Sequence, residues 1–288
     1  MRAPLYPLEG VVSWNMNTTC NYRCSYCTQR FSDDRSRWAA DLPRFLEAFL
    51  ALPGDWELKL SGGEPFRHPN FLEAVQALAA GGRRVSVVTN LSADREVLAA
   101  YCDRVRVRPG VISASLHPEY VAPTAFLEKC RWVADRHQGP LVITVVATQA
   151  LLPRLPAWIA EAEALGLRLK LQPEKQDREV IDYAPEERQA LIQLGGHGGT
   201  GRIDPNFEGR ACWAGSRYFI VDHLGEAYRC YPARRYRSER LGNLLDGSFR
   251  LRPSAEPCRY RYCNCVVPQE RGMVDAKEPD VRRTHEAE

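Results

Sequence analysis

Val11-Val12-Ser13-Trp14-Asn15-Met16-Asn17-Thr18-Thr19-Cys20-Asn21-Tyr22-Arg23-Cys24-Ser25-Tyr26-Cys27 is the stretch on which the reading of this chain turns. Apolar and β-branched residues over Val11–Met16 predict a strand, and the Asn- and Thr-rich residues after it predict a loop at its C-terminal end. Similar apolar runs follow at Glu57–Ser61, Arg84–Thr89, Val111–Ser115, Leu141–Ala147 and Arg168–Leu171. Between them lie segments with apolar residues at helical spacing: Leu42–Leu52, Asn70–Ala80, Asp94–Tyr101, Ala125–Arg136 and Leu155–Leu165. That alternation predicts repeated βα units and a parallel sheet. The expected fold class is therefore α/β, a partial (β/α)6 TIM-type barrel, with an open doubly wound sheet as the alternative. In both architectures function sits at the C-terminal ends of the strands, where the cysteine-containing loop falls.

The chain has 288 residues, 44% of them hydrophobic and 26% charged, the composition of an ordinary globular protein. No apolar run is long enough to span a bilayer, and residues 1–7 lack an apolar stretch followed by a small-residue cleavage site, so a cytoplasmic location without membrane contact is expected. Lys and Arg number 39 against 36 Asp and Glu, and a net charge of +3 is too mild to imply a nucleic-acid partner. Ten cysteines in a reducing compartment point to metal ligation or catalysis before disulfides. Cys102 and Cys130 fall in helical segments and read as small buried hydrophobes.

A further helix is expected over Pro185–Leu194. The glycine-dense run Gly195-Gly-His-Gly-Gly-Thr-Gly201 then marks a boundary, giving a barrel over 1–200 and a small domain over 201–268. Within the second, Arg217–Asp222 and Glu226–Cys230 read as a hairpin joined by His223-Leu-Gly225. Residues 269–288 are highly charged and are expected to form a disordered or loosely held tail.

Three thiolates at the C-x3-C-x2-C spacing of Cys20, Cys24 and Cys27 can hold three irons of a 4Fe-4S cluster and leave the fourth iron open to a chelating ligand. A zinc site is the competing reading, although no second cysteine pair or histidine pair lies nearby in sequence. The loop, with Tyr26 at its aromatic position, resembles the defining motif of the radical S-adenosylmethionine (SAM) superfamily. So does Ser61-Gly62-Gly63-Glu64-Pro65 after the second strand, which is similar to that family's Gly-Gly-Glu-Pro segment. The resemblance implies that Gly62, Gly63, Glu64 and Pro65 receive the amino group of SAM. It also implies that Asn90, Ser113 and Ser115 supply polar contacts to its ribose and carboxylate. Thr89 and these three residues have strand-end capping as their alternative role. His117 and Gln172 are candidate substrate contacts.

Cys212, Cys230, Cys258, Cys263 and Cys265 crowd the C-terminal third. Their arrangement resembles the twitch or truncated SPASM appendage of some radical SAM enzymes, which implies one auxiliary 4Fe-4S cluster with five thiols competing for four places. The ending lacks the usual C-x2-C spacing, and zinc is the competing occupant. Arg229, Arg234, Arg235, Tyr236, Arg237, Arg240, Arg259, Tyr260, Arg261 and Tyr262 interleave with these cysteines. They read either as compensation for an anionic cluster or as a nucleic-acid surface.

The resemblance implies an enzyme that cleaves SAM reductively to a 5'-deoxyadenosyl radical. The expected outcome is oxidation or a related modification of a small metabolite, such as a sugar or aminocyclitol, or of a ribosomal peptide. A flavodoxin- or ferredoxin-type protein is the implied electron donor. An RNA-modifying enzyme and a non-catalytic iron-sulfur or zinc protein are the alternatives.

Overall fold

The computed structural model describes residues 10–29, 31, 38–176, 179–263 and 266–274. Six βα units run in order: β1 (Gly10–Asn15), α1 (Trp38–Leu50), β2 (Trp56–Ser61), α2 (Phe71–Ala80), β3 (Arg84–Thr89), α3 (Arg95–Arg104), β4 (Pro109–Leu116), α4 (Pro123–Ala134), β5 (Leu141–Ala147), α5 (Leu155–Ala164), β6 (Leu169–Pro173) and α6 (Pro185–Gln193). Each strand from β1 to β6 pairs in parallel with the next, in sequential order without reversal. Because βα crossovers share one hand, an unreversed order puts the helices on one face of the sheet and curls the other inward. The result is an α/β fold with a mostly parallel central sheet in the manner of a partial TIM barrel, not a doubly wound sheet.

Strand alternation separates the two faces. Leu58 and Leu60 of β2, Ile112, Ala114 and Leu116 of β4, and Ile143 and Val145 of β5 are buried in the core beneath the helices. Trp14 joins that core from β1, its ring 5.0 Å from those of both Phe45 and Phe49 on α1. Cys102 and Cys130 are buried there as well. The inward face carries Ser13, Lys59, Ser61, Ser86, Ser113, Ser115, Thr144 and Gln172 at the alternate positions. TIM barrels ordinarily fill their interior with branched aliphatic side chains. Here serines, Lys59, Thr144 and Gln172 share that face with Val88, Val111, Val142 and Val146, and Val11 joins a second apolar core at its β1 end.

The expected hairpin forms, with Tyr218–Val221 antiparallel to Glu226–Tyr228. It does not stand apart from the barrel: Tyr218–Val221 pairs in parallel with β1, Val11 opposite Tyr218 and Trp14 opposite Val221. Arg240–Asn243 adds a last strand beyond it. At the glycine run, His197 is fully buried and bridges to Leu171 of β6. The positive φ of Gly196 and Gly199 (62° and 81°) lets the chain wrap around that side chain. One sequence expectation is corrected here: residues 269–274 are not part of a loose tail. Val266–Glu270 is helical, Met273 and Val274 are buried, and Val274 bridges to Cys212. Residues 275–288 lie outside the described residues.

This C-terminal segment closes the foot of the barrel. Arg271 Nη2 reaches Glu57 Oε2 of β2 at 2.5 Å, and Lys170 of β6 is ion-paired with Glu270. A second anchor is Arg229, whose side chain is 2% exposed. It donates to Glu239 Oε1 (2.9 Å) and to the carbonyls of Ala214 (2.8 Å), Glu256 (2.7 Å), Pro257 (3.0 Å) and Cys212 (3.2 Å). Removing one partner of such a buried pair strands the other charge. Arg229→Met is therefore expected to lower stability by about 3–5 kcal/mol in urea unfolding. Arg240→Gln, which breaks a surface pair with Glu226, is expected to leave the urea midpoint nearly unchanged.

Candidate active site

The loop after β1 and the loop after β2 are stitched together through backbone groups. Gly63 N donates to Asn17 O and Asn17 Oδ1, both at 3.1 Å, Glu64 N donates to Thr19 O at 2.8 Å, and Asn17 Nδ2 returns to Glu64 O at 2.9 Å. The approach is so close that a Cβ on Gly63 would overlap the Thr19 carbonyl and stand 3.0 Å from Cys20 N. Gly62, at φ +150°, would put a Cβ into Asn17. The two glycines thus let one backbone pass directly against the residues that lead into Cys20.

Glu64 holds its loop against the neighbouring strand end. Its carboxylate is buried and faces inward on the fold: Oε1 accepts from Thr89 Oγ1 (2.8 Å) and Phe66 N (3.2 Å), and Oε2 accepts from Asn90 N (2.8 Å). It is a strut tying β2 to the end of β3. The turn it holds is tight, with Leu91 at φ +54° and Thr89 Oγ1 accepting from Leu91 N. Asn90 is thereby aimed back at the cysteine loop, its Nδ2 3.1 Å from Asn21 Oδ1 and 3.9 Å from Cys20 Sγ. Pro65 begins a short 3-10 turn, Pro65–Arg67, and is buried.

The other side of the cysteine loop is braced by residues that follow β4. Glu119 accepts from Ser25 N (3.0 Å) and Ser25 Oγ (2.5 Å), and Tyr120 OH accepts from Arg23 N (2.7 Å). Tyr120 also stacks on Tyr22, ring centroids 4.3 Å apart. His117 Nδ1 lies 3.0 Å from Tyr26 OH and 3.3 Å from Cys24 Sγ, and its ring is stacked on that of Tyr26. Burial pushes His117 down to about 4, so the ring is neutral at ordinary pH. Sequence reasoning singled out His117 as a substrate contact, whereas here it supports Tyr26 and Cys24. Glu119 and Tyr120 went unrecognised, since nothing in a His-Pro-Glu-Tyr turn signals that it will meet a loop nearly a hundred residues earlier.

Cys20 and Cys24 are half-buried and Cys27 is exposed at the rim. Burial raises both inner thiols, Cys24 to about 11, so metal binding must displace their protons. Among the described residues no three His, Cys, Asp or Glu side chains converge as a site for a single metal ion. The donor set suits a larger soft group: three thiols on one loop, with a glycine cradle behind them and, among the described residues, no fourth cysteine beside them. Ser113 and Ser115 stand half-exposed on the inner face of β4, and Ser115 Oγ is 3.4 Å from Thr144 Oγ1 of β5. Gln172 lies farther round, on β6.

Cys212, Cys230, Cys258 and Cys263 gather in a second, inward-facing core with Tyr218, Tyr228, Val267 and Met273. Cys265 lies outside the described residues. The arginines and tyrosines nearby divide. Arg229 is consumed by the structural contacts above, and Arg240 and Arg252 are paired with carboxylates. Arg235, Tyr236, Arg259, Tyr260, Arg261 and Tyr262 line a cleft of about 510 Å³ that also admits Glu179, Glu208 and Glu239. Arg234 turns toward the barrel. With the Asn15 amide oriented to satisfy its neighbours, its oxygen accepts from Arg234 Nη1 (3.0 Å) and Nη2 (3.2 Å) while its nitrogen faces Ser61 Oγ at 2.7 Å.

Residues 14–138 match a family model described as the radical SAM superfamily. Among curated proteins, the chain is 29% identical over 97 residues to an S-adenosylmethionine-dependent nucleotide dehydratase of Psychrobacter lutiphocae, a match covering 28% of this chain and 33% of that protein. Among solved structures it is similar to native anSMEcpe with bound AdoMet and Cp18Cys peptide, at 14% identity and TM-score 0.58, over 84% of this chain and 79% of the other. It is also similar to Streptococcus suis SuiB bound to precursor peptide SuiA, at 12% identity and TM-score 0.58, over 83% and 63%. At these identities the structural likeness is one of fold.

Burial pushes the Glu64 carboxyl up to about 7 against the pull of its three hydrogen-bond donors. A carboxyl whose proton is held more tightly in the folded chain favours folding below its ordinary value of about 4.5 and loses that contribution as pH rises toward 7. Wild type is expected to lose urea resistance across that window relative to Glu64→Gln, measured as the difference between the two midpoints at each pH.

Proposed function

We propose that this chain, whose residues 14–138 match the radical SAM family model, is a radical SAM enzyme that abstracts a hydrogen atom from a small polar metabolite or a peptide side chain held inside the barrel, leading to oxidation or a related modification. The observation that carries the reading is the stitching of the cysteine loop to Gly62-Gly63, with Asn90 beside Cys20. Cys20, Cys24 and Cys27 would hold a 4Fe-4S cluster, which would supply the electron for reductive cleavage of SAM to methionine and a 5'-deoxyadenosyl radical.

The chain's own residues do the rest. Gly62 and Gly63 offer backbone to the amino end of SAM where any side chain would intrude. Asn90, Ser113 and Ser115 offer hydrogen bonds along the strand ends to its ribose and carboxylate. His117, Glu119 and Tyr120 hold the cysteine loop in register with that surface. The curved wall behind them shields the reacting centre from bulk water. Cys212, Cys230, Cys258 and Cys263, with Cys265 as the competing fifth thiol, would hold an auxiliary 4Fe-4S cluster able to take the electron that a substrate radical must lose. A flavodoxin- or ferredoxin-type protein would supply the initial electron.

RNA as substrate has less support. The Arg- and Tyr-rich cleft interleaves its cations with three glutamates, whereas a phosphate-tracking groove needs a continuous positive stripe. No helix among the described residues is long and apolar enough to cross a membrane.

After anaerobic reconstitution, wild type is expected to bind about eight irons per chain and to form 5'-deoxyadenosine from SAM with a strong reductant. The Cys20/Cys24/Cys27→Ala variant is expected to keep about four irons and form none. A wild type with about four irons removes the auxiliary cluster, and one that never yields 5'-deoxyadenosine removes the reaction.

A further inference from the structure

Three charged side chains, Glu57, Lys59 and Lys170, project from β2 and β6 to the inner face, and all but one are compensated. Glu57 accepts from Ser86 Oγ (2.6 Å) and is paired with Arg271. Lys170 is paired with Glu270. Arg84, at the foot of β3, is engaged with partners of its own. Lys59 makes no hydrogen bond or ion pair with any described residue and is half-buried on the middle rung of β2. Its inward direction follows from Leu58 and Leu60, which are fully buried on the helix side.

The neighbours of Lys59 cannot neutralise it. Ser13 and Ser86 stand opposite it in register on β1 and β3. Ser13 is occupied by Tyr218 OH, and Ser86 by Glu57 and Val111 N. Arg234, on the same side of the sheet above Asn15, meets an amide and no carboxylate. Among the described residues Lys59 thus adds a positive charge to this wall without a carboxylate partner, on a half-buried rung. An ammonium in such a site gains most from an anion brought in by a ligand.

We propose that Lys59 is the anchor for an oxyanion, a phosphate or carboxylate, on the substrate. This deepens the reading above and rests on it for the identity of the reacting end. Lys59 lies two residues before Ser61 on the same face, roughly 7 Å below the strand end. The anionic end of the substrate would then sit in the barrel and its reacting C–H above, toward Gly62-Gly63 and the cysteine loop. The substrate class is a small acid or phosphate ester, or an acidic side chain of a peptide.

The test uses the reconstituted full chain under pulse acylation with acetic anhydride, with modification of Lys59 and of Lys129 as reference followed by mass spectrometry. Inorganic phosphate, pyrophosphate, succinate and SAM are added separately, with chloride at matched ionic strength as control. Lys59 is expected to react in the free protein and to be slowed at least threefold relative to Lys129 by one of the oxyanions. Protection by phosphate or pyrophosphate assigns a phosphate ester, and protection by succinate a carboxylate. Calorimetric binding of the protecting anion is expected to weaken at least tenfold in Lys59→Gln and to be largely retained in Lys59→Arg, with iron content equal in all three proteins. Indifference to every oxyanion, a Lys59 that never reacts, or protection by SAM alone overturns the proposal, the last by giving the lysine to the carboxylate of SAM. Wild-type protein that forms 5'-deoxyadenosine while Lys59 ignores every oxyanion keeps the reaction and loses the anchor. Protection without 5'-deoxyadenosine formation does the reverse.

Discussion

The contact on which this molecule depends is the passage of the Gly62-Gly63 backbone against Asn17–Cys20. It is made of hydrogen bonds between two loops that follow neighbouring strands, and it exists because neither glycine has a side chain to hold the loops apart. The parallel pairing of β1 and β2 brings the loops to the same edge, with Asn15 opposite Ser61 at the last rung. Glu64 carries the order one strand further by gripping the turn after β3, and that turn points Asn90 at Cys20. Three strand ends are thus coupled through buried polar groups whose partners are nearly all main-chain atoms. Such a network sets geometry more firmly than side-chain contacts alone, since each backbone group has few alternative partners.

The rest of the fold can be understood as making room for this edge to be useful. Apolar burial is concentrated on the helix side, where Trp14, Phe45 and Phe49 pack. The inner wall mixes serines, threonine, glutamine and lysine with valines, and a second apolar core fills it at β1. Polar groups on such a wall cost stability unless they are paired, and the C-terminal segment supplies partners at the foot through Arg271 and Glu270. The hairpin that extends β1 brings the cysteine-rich region against the same sheet, with Arg229 fastening its turns together. The first cysteine loop follows a strand of this large sheet, whereas Cys212 lies on a separate two-stranded sheet with Glu256–Pro257, packed against the hairpin.

Much of this was legible in the chain. The order of βα units follows from hydrophobic spacing, and the observed strands agree with the expected ones to within a residue or two. The cysteine loop and Gly62-Gly63 are local signals, each compressed into a few adjacent residues. What escaped notice depends on tertiary contact. The bracing by Glu119 and Tyr120, the reach of Arg234 to Asn15 and the pairing of Glu57 with Arg271 join residues far apart in sequence with no local signature. Glycine frequency measures what a backbone is free to do, while the buried His197 shows what this run is used for. The charged composition after residue 269 misled, since Arg271 and Glu270 pair with Glu57 and Lys170 of the sheet.

The most direct test of the account is electron paramagnetic resonance of the reduced, reconstituted protein with and without SAM. A cluster held by Cys20, Cys24 and Cys27 with one iron open will change its spectrum when the amino and carboxylate groups of SAM bind that iron. The account predicts a SAM-dependent shift of the signal in wild type that is lost in Cys24→Ala. A wild-type spectrum that stays the same when SAM is bound would contradict it.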